Sequence, residues 1–566
     1  FGATYYVAPS GGTDGGTGDF GTPFATISHA ISVAGAGDTI YLRGGNYNLS
    51  STISISSSKS GTAANPINLL AYSGDATAPV LDFRAETFSS NNSGLRGFDV
   101  QGNYWHFKGF TVQYAADNGI MVSGSNNTFE QLVTRQNQDS GLALQGPSSG
   151  ARLPSNNLVL NCDSYGNFDF GPTNGPHGEN ADGFIAKFRQ LGTGNYFIGD
   201  RAYNNGDDGY DFWQSPNRVT VIGSQAFHNG LTTTSIFRTA ANGTLSNYAG
   251  DGNGFKLGQD SSTHVLLDSM AWGNGHNGFD ANGNATQESA GGGIQHGLTL
   301  YNNTSFNNAR NGSGSNFAFS ENFAHVLVNN ISLNGSASTS ASTITSHDSW
   351  NSGFSVSASD FLSTADPATD GVFHPAGTGA DRSGTTAPTL PVVPARLADG
   401  SLPYSTFLRL NSNSPLIDAG IASFTDAAGN PVILSTNSTL LNFTGVSIAL
   451  SGYTGLAPDL GVERALGPAG DFNQDGHINS ADIALAMTAL SDTQNYQTSH
   501  GLTDPNLFLA YSDVNKDGVF NNSDLQSLLT ILISGGGSAD PVPEPTSFTM
   551  ALLCVAALCG ARRILR

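Results

Sequence analysis

The stretch from Asn204 to Trp213 reads NNGDDGYDFW. It crowds Asp207, Asp208 and Asp211 into five positions of a chain in which only 12% of residues are charged. Carboxylates this close cannot all stay ionised without compensation. A hard divalent cation with oxygen ligands supplies it, and calcium suits aspartates carried on loops. The plain alternative is a solvated acidic turn on an acidic protein.

The elements that must hold these residues repeat. A turn ending in Gly, followed by an apolar or aromatic residue, recurs as NGIMV at Asn118, SGLAL at Ser140, DGFIA at Asp182, DGYDF at Asp208, NGFKL at Asn253 and NGFDA at Asn277. The glycine intervals are 22, 42, 26, 45 and 24 residues. The short ones fit one unit and the long ones fit one unit plus an inserted loop, which predicts a solenoid. Strand signals with Asn and Gly corners, such as INLLAY, HFKGFTVQ, NLVLNC, VTVIGSQAF, HVLLDSMAW and HVLVNNISL, point to an all-β, right-handed parallel β-helix. An N-terminal amphipathic cap helix is expected at Ala25, Ile27, Ile31 and Val33, ended by Gly35 and Gly37, with a strand TIYLRG after it.

Aligning Gly183, Gly209, Gly254 and Gly278 gives a register. Phe184, Tyr210, Phe255 and Phe279 then form an inward column of core aromatics. Neighbours on a strand alternate faces, so Ile185, Asp211, Lys256 and Asp280 face outward. Adjacent coils lie ~4.8 Å apart. Asp182, Asp207, Asp208, Asp211 and Lys256 are therefore expected on one external patch, walled by the insertion near 230–250. Lys187 is also a candidate base, being close to Asp182 in sequence, but it sits four residues past its glycine, in line with Trp213 and Gly258, and ranks well below Lys256 in that role.

With 44 acidic against 22 basic residues, the formal charge is −22. That excludes a nucleic-acid partner, which needs a basic face. It also disfavours an acidic polymer unless a metal bridges the two. Three cysteines, two of them in the apolar tail, make neither a disulfide framework nor a zinc site; Cys162 is expected as a small buried apolar residue. The solenoid is expected to close in SPLIDAG…YTGLAPDLGVERA near Ala465, with the Pro/Gly-rich stretch 365–403 as a crossover along it.

A second module starts at Gly470. DFNQDGHINSAD offers Asp471, Asn473, Asp475, the His477 carbonyl, Asn479 and Asp482; DVNKDGVFNNSD offers Asp513, Asn515, Asp517, the Val519 carbonyl, Asn521 and Asp524. Both follow the calcium-loop spacing, with Gly476 and Gly518 at the sharp turn. Asp at position 12 makes the pair resemble a type I dockerin at 466–535, a small α-helical module. The resemblance implies a cohesin-like partner; a calcium-stiffened spacer is the alternative. After a linker at 536–545, Val-Pro-Glu-Pro is followed by an apolar run at 548–561 and then Arg562, Arg563 and Arg566. This 546–566 segment resembles a PEP-CTERM sorting tail, which implies export to the surface or medium and membrane contact only during sorting. No basic-then-apolar leader precedes Phe1, so any secretory signal is expected to have been removed already.

NCDSYGN, GENADGF, NNGDDGYDFW and GNGFKLG, in this order, resemble pectate lyase family nine over residues 5–465. The resemblance implies calcium on Asp182, Asp207, Asp208 and Asp211, with Lys256 as catalytic base. It implies β-elimination in a 4-linked acidic polysaccharide such as pectate. The wider gap between Asp211 and Lys256 is expected to reshape the substrate groove. Two alternatives share the features: a β-helix glycoside hydrolase with Asp acid and base, and a non-catalytic calcium-dependent glycan-binding protein.

Overall fold

The structure is a computed structural model. It describes the chain except residues 1, 88–94, 170–176, 189, 232–247, 259–262, 284–296, 374–387, 398, 404, 412, 436–438, 451–452, 454–455, 463–468, 473–477, 501, 503–504, 516 and 534–566. Contacts divide it into two compact units, Phe1–Ala465 and Leu466–Arg566. The expected linker and tail at 536–566 lie outside the described residues, as does most of the insertion expected to wall the patch.

The first unit is a parallel β-helix. Among the described residues its coils build three sheets: one of 12 strands from Thr4–Val7 to Ile344–Ser346, and two of 10 strands ending at Ile331–Leu333 and Ala337–Thr339. Each coil visits the sheets in turn. HFKGFTVQ is thus two strands, Trp105–Lys108 and Thr111–Gln113, on different sheets. VTVIGSQAF, HVLLDSMAW and HVLVNNISL split in the same way. The corners need left-handed backbone, at φ 84° for Gly109, 58° for Gly223, 50° for Asp268 and 59° for Asn329. Gly and Asn or Asp enter that region most readily, which accounts for their abundance here.

The intervals resolve as expected. Leu142 pairs with Phe184 and Tyr210 pairs with Phe255, so the 42- and 45-residue intervals are single coils carrying loops. The recurring glycine has a steric cause: a Cβ on Gly209 would lie 2.6 Å from the Gly254 carbonyl oxygen of the next coil. Beside it runs an asparagine ladder. Asn137, Asn167, Asn205, Asn229, Asn274 and Asn308 each donate Nδ2 to the Oδ1 of the next, the last being Asn316, at 2.9–3.0 Å. Six of the seven are no more than 1% exposed and Asn308 is 9%. Buried amides satisfied this way cost little and lock the register between coils.

Inside, Phe184, Tyr210, Phe255, Phe279 and Phe317 stack with ring centroids 4.6–5.3 Å apart. Cys162 is buried with its thiol free. The cap helix is Ile27–Val33, with the Thr26 side chain accepting from the His29 amide. It buries Ile27, Ala30 and Ile31, while Ala25 and Val33 face solvent, a correction to the expected stripe.

Parallel coils end at Ser346, well before Ala465. The rest of the unit dresses the outside of the solenoid. A hairpin, Thr439–Phe443 with Val446–Leu450, covers Leu158, Leu160, Ile198 and Ile222 on the first sheet. On the second sheet, Tyr165, Tyr203, Phe227 and Trp272 stack at 4.2–4.8 Å, in one apolar cluster with Phe373, Phe407 and Leu460. The crossover expected at 365–403 runs over this sheet: Asp366 meets His228, and Arg396 meets Asp163 at 2.8 Å. The predicted carboxylate Asp211 and Lys256 lie on strands of the third sheet.

His228 is one clasp of this dressing. Its Nε2 lies 2.7 Å from Asp366 Oδ2 and its Nδ1 lies 2.8 Å from Asp370 Oδ1, while Arg310 also bonds Asp370. Burial disfavours the imidazolium, but the two carboxylates outweigh it and hold its pKa above the usual value. The folded pKa is raised, so the clasp contributes fully below the unfolded value of about 6.5 and is lost as pH rises through the folded value. The gap in Tm between wild type and His228→Gln is expected to be widest in mild acid and to shrink with rising pH. Thermal melts across pH check this, and a gap that widens towards alkaline pH contradicts it.

The second unit carries helices Ser480–Ser491, Thr493–Ser499, Pro505–Ser512 and Asn522–Ile533. They pack on Phe472, Ala486, Tyr496, Phe508 and Leu528. Asn473, Asp475 and His477 of the first loop lie outside the described residues. Asp471 and Asp482 of that loop are buried, and Asn479 caps the following helix by accepting from the Ala481 amide at 2.8 Å. In the second loop Asp513 accepts from the Asp517 and Gly518 amides, and Asn515 donates to Asp517. Val519 donates its amide to Asp517, and Asp524 accepts from the Asn521 and Asn515 amides. The carboxylates are thus already turned into the loop, with Gly518 at φ 83° making the bend.

Candidate active site on the third sheet

Strand pairing sets the site. Ile185 lies opposite Asp211, Asp211 opposite Lys256, and Lys256 opposite Asp280. Their inward neighbours are the aromatic stack, so these side chains face out. Asp182 and Asp208 occupy the turn just before each strand, held by the tight Gly corner. The Asp208 amide donates to Asp182 Oδ1 at 3.1 Å. Asp208 Oδ1 accepts from the Asn253 amide at 2.7 Å and from its Nδ2 at 3.0 Å.

The predicted aspartates and Lys256 do converge, but not as a solvent-exposed patch. Asp182 and Asp208 are 0% exposed, and Asp207 and Asp211 are 2%. Segment 248–253 covers them. It is pinned by the Ala249 amide to the His177 carbonyl at 2.9 Å, by the Tyr248 hydroxyl to the Gly206 carbonyl, and by the Asp251 amide to Asp207 Oδ1 at 2.5 Å.

Two lysines enter the cluster from opposite sides. Lys256 Nζ lies 2.6 Å from Asp251 Oδ2 and 3.2 Å from Asp208 Oδ2. Lys187 Nζ lies 2.9 Å from Asp182 Oδ2 and 2.8 Å from Asp211 Oδ2. Lys187, ranked well below Lys256 as a base, still reaches the cluster: its long side chain extends from its own position into the carboxylates. Asp251 was missed by sequence reasoning. The signal was present, since Asp251 stands five residues before Lys256 at the end of the insertion.

Five carboxylates against two ammonium groups leave the cluster short of positive charge. Burial pushes Asp182 up to about 6 against the pull of Lys187. Burial, with Asp208 and Asp182 nearby, pushes Asp207 well above the usual carboxylate range, and burial does the same to Asp208 against the pull of Lys256. Asp211 stays below that range because Lys187 and Lys256 outweigh its burial. Burial disfavours the Lys256 ammonium, but Asp208, Asp211, Asp207 and Asp251 hold its pKa far above the ordinary value.

The donor set suits a hard cation. Asp182, Asp208 and Asp211 place carboxylate oxygens within 4.8 Å of one another, and so do Asp207, Asp208 and Asp251. Asp208 Oδ2 is buried without a hydrogen-bond donor, its Lys256 neighbour standing out of alignment. A buried, unpartnered oxygen is costly, and an all-oxygen cluster of this charge matches calcium.

The coils and Gly corners define a parallel β-helix with an outward carboxylate–lysine cluster, and the comparisons make it a polysaccharide lyase. Residues 5–349 match the Pel9A-like, right handed beta helix region, and residues 469–532 match the Dockerin type I domain. Pectate lyase L of Paenibacillus polymyxa is 37% identical over 74% of this chain and 84% of its own. Pectate lyase L of Dickeya chrysanthemi is 36% identical over 74% and 85%. The crystal structure of pectate lyase Pel9A superposes with a TM-score of 0.60 at 33% identity, covering 82% of this chain and 96% of that one. A rhamnogalacturonan lyase superposes with a TM-score of 0.54 at 25% identity, covering 73% and 97%. The chain belongs to the Pel9A-like right-handed β-helix family of polysaccharide lyases and carries a type I dockerin domain at 469–532.

Proposed function

We propose that the first unit cleaves pectate, or a related 4-linked uronide, by calcium-dependent β-elimination with Lys256 as base. The observation that carries this is the buried cluster of Asp182, Asp207, Asp208 and Asp211 with Lys256 one coil away from Asp211 in the same outward column. The names of its relatives support the substrate class.

The C5 proton of a uronide is weakly acidic because the adjacent carboxylate already carries charge. Calcium held by Asp182, Asp207, Asp208 and Asp211 would offset the charge that develops there as the proton leaves. Lys256 takes the C5 proton. The C4–O bond breaks as the C4–C5 double bond forms, and the leaving oxygen gains a proton, so no water is consumed. Lys256 must be neutral to act. The carboxylates oppose that, so turnover is expected to favour alkaline pH. Asp251 holds the Lys256 ammonium in the substrate-free protein, and its exposed carboxylate leaves that contact open to replacement.

Incubation with polygalacturonate and other uronides, with and without calcium, tests the reading. Ultraviolet absorbance of unsaturated ends should rise only with calcium. Calcium-dependent binding without product would instead favour a glycan-binding protein.

The second unit would bind calcium through its paired loops and dock a cohesin-like partner, which fits secretion or cell-surface display. The two units are expected to work independently. A chain ending at Ala465 should keep the full rate on soluble polymer, measured by the same absorbance. A folded truncation with lost activity contradicts this.

A further inference from the structure

We infer that Lys187 is the internal counter-ion of the cation seat, a positioning residue that calcium must displace. The inference rests on the calcium reading above. Lys187 Nζ bonds Asp182 Oδ2 and Asp211 Oδ2 at 2.9 and 2.8 Å. These carboxylates belong, with Asp208, to the triad whose oxygens lie within 4.8 Å of one another. Calcium holds its ligand oxygens at about 2.3–2.6 Å, so an ion on both aspartates needs the space that the ammonium fills. The two occupants exclude each other.

The arrangement places one positive charge between two buried carboxylates. Asp182 is fully buried on the turn before one strand and Asp211 is buried on the next coil. Without a cation between them their charges would repel at short range in a poorly solvated place. Lys187 lies in the following bend, its side chain only 9% exposed, and answers both. Lys256 cannot do so, because it is engaged on the other side by Asp251 and Asp208. The lysines thus divide the cluster: Lys187 guards the seat, and Lys256 faces the outward column.

The test is calcium affinity, not activity. Titration calorimetry on the full chain also reports the paired loops, so the heat of the site is taken as the part that Asp208→Ala removes. Lys187→Met is expected to bind calcium at this site at least about tenfold more tightly than wild type, because a like charge a few ångströms away is gone. Its Tm should fall in chelator, and the rise in Tm on adding calcium should exceed that of wild type. Lys187→Arg keeps the charge and should bind no more tightly than wild type. A residue that merely braced the ligands would give the opposite sign. Unchanged or weaker binding in Lys187→Met overturns the inference.

If Lys187→Met fails to fold, wild type alone decides. Calcium should expose the displaced amine, so acetylation of Lys187, read by mass spectrometry, should rise severalfold with calcium over chelator. Equal labelling overturns the inference. If Asp208→Ala removes no calcium heat, the seat itself is absent and the calcium reading falls with the counter-ion; if it removes heat and Lys187→Met binds no tighter, only the counter-ion falls.

Discussion

Lys256→Ala is expected to lower turnover on polygalacturonate by at least about 10²–10⁴-fold, the usual contribution of a general base. Substrate binding should persist, because the carboxylate cluster stands one coil away and does not depend on the lysine stem. Lys256→Arg separates base from counter-charge. Guanidinium keeps the positive charge beside Asp208 and Asp251 but stays protonated at any workable pH. If Lys256 takes the C5 proton, Arg fails as Ala does. If it only balances the aspartates, Arg restores activity. Initial rates by ultraviolet absorbance, with polymer binding measured alongside, distinguish the two.

The second large effect lies at Asp208. It sits at the centre of the cluster, shared by both oxygen triads. Asp208→Ala should abolish calcium-dependent cleavage, but it also strips the Asn253 amide and Nδ2 of their acceptor. That costs about 1–3 kcal/mol for each buried donor left unpaired. Asp208→Asn is the cleaner variant. It keeps an acceptor oxygen for Asn253, in a column where the next coil already carries asparagine, while it removes the negative charge and puts an amide NH2 in place of Oδ2. Its far-ultraviolet spectrum and Tm should stay near wild type while the rate falls to background at any calcium concentration. Exhaustive chelation of wild type should do the same. An active Asp208→Asn protein, or wild-type activity that survives chelation, contradicts the calcium requirement.

The register was legible because glycine and aromatic residues keep step wherever coils stack. Gly183, Gly209, Gly254 and Gly278 mark close approach between coils, and that constraint survives loops inserted elsewhere in the repeat. It therefore placed Asp211 opposite Lys256 correctly. The corner between the first two sheets was illegible because in these stretches it takes only two residues. HVLLDSMAW looks like one strand until Asp268 is seen at positive φ.

Burial of the site was missed for a different reason. The coil register places outward residues but says nothing of segments laid over them, such as 248–253. The contact of Lys187 with Asp182 and Asp211 was out of reach of column counting, which tracks Cα positions and ignores the reach of a long side chain. Coil termination was misread because the outer segments after Ser346 use the same Ser-, Asn- and Gly-rich composition as the coils. Among the described residues they pair as two antiparallel hairpins and a few isolated bridges, not as stacked parallel strands.

The most direct measurement of the central claim is a mass balance on one cut. A defined oligouronide is cleaved with calcium present and the two products are weighed by mass spectrometry. Elimination by Lys256 predicts that the product masses sum to that of the substrate, with an unsaturated residue at the new non-reducing end. Products that together weigh one water more, with saturated ends, would make the aspartates an acid–base pair for hydrolysis and contradict the account.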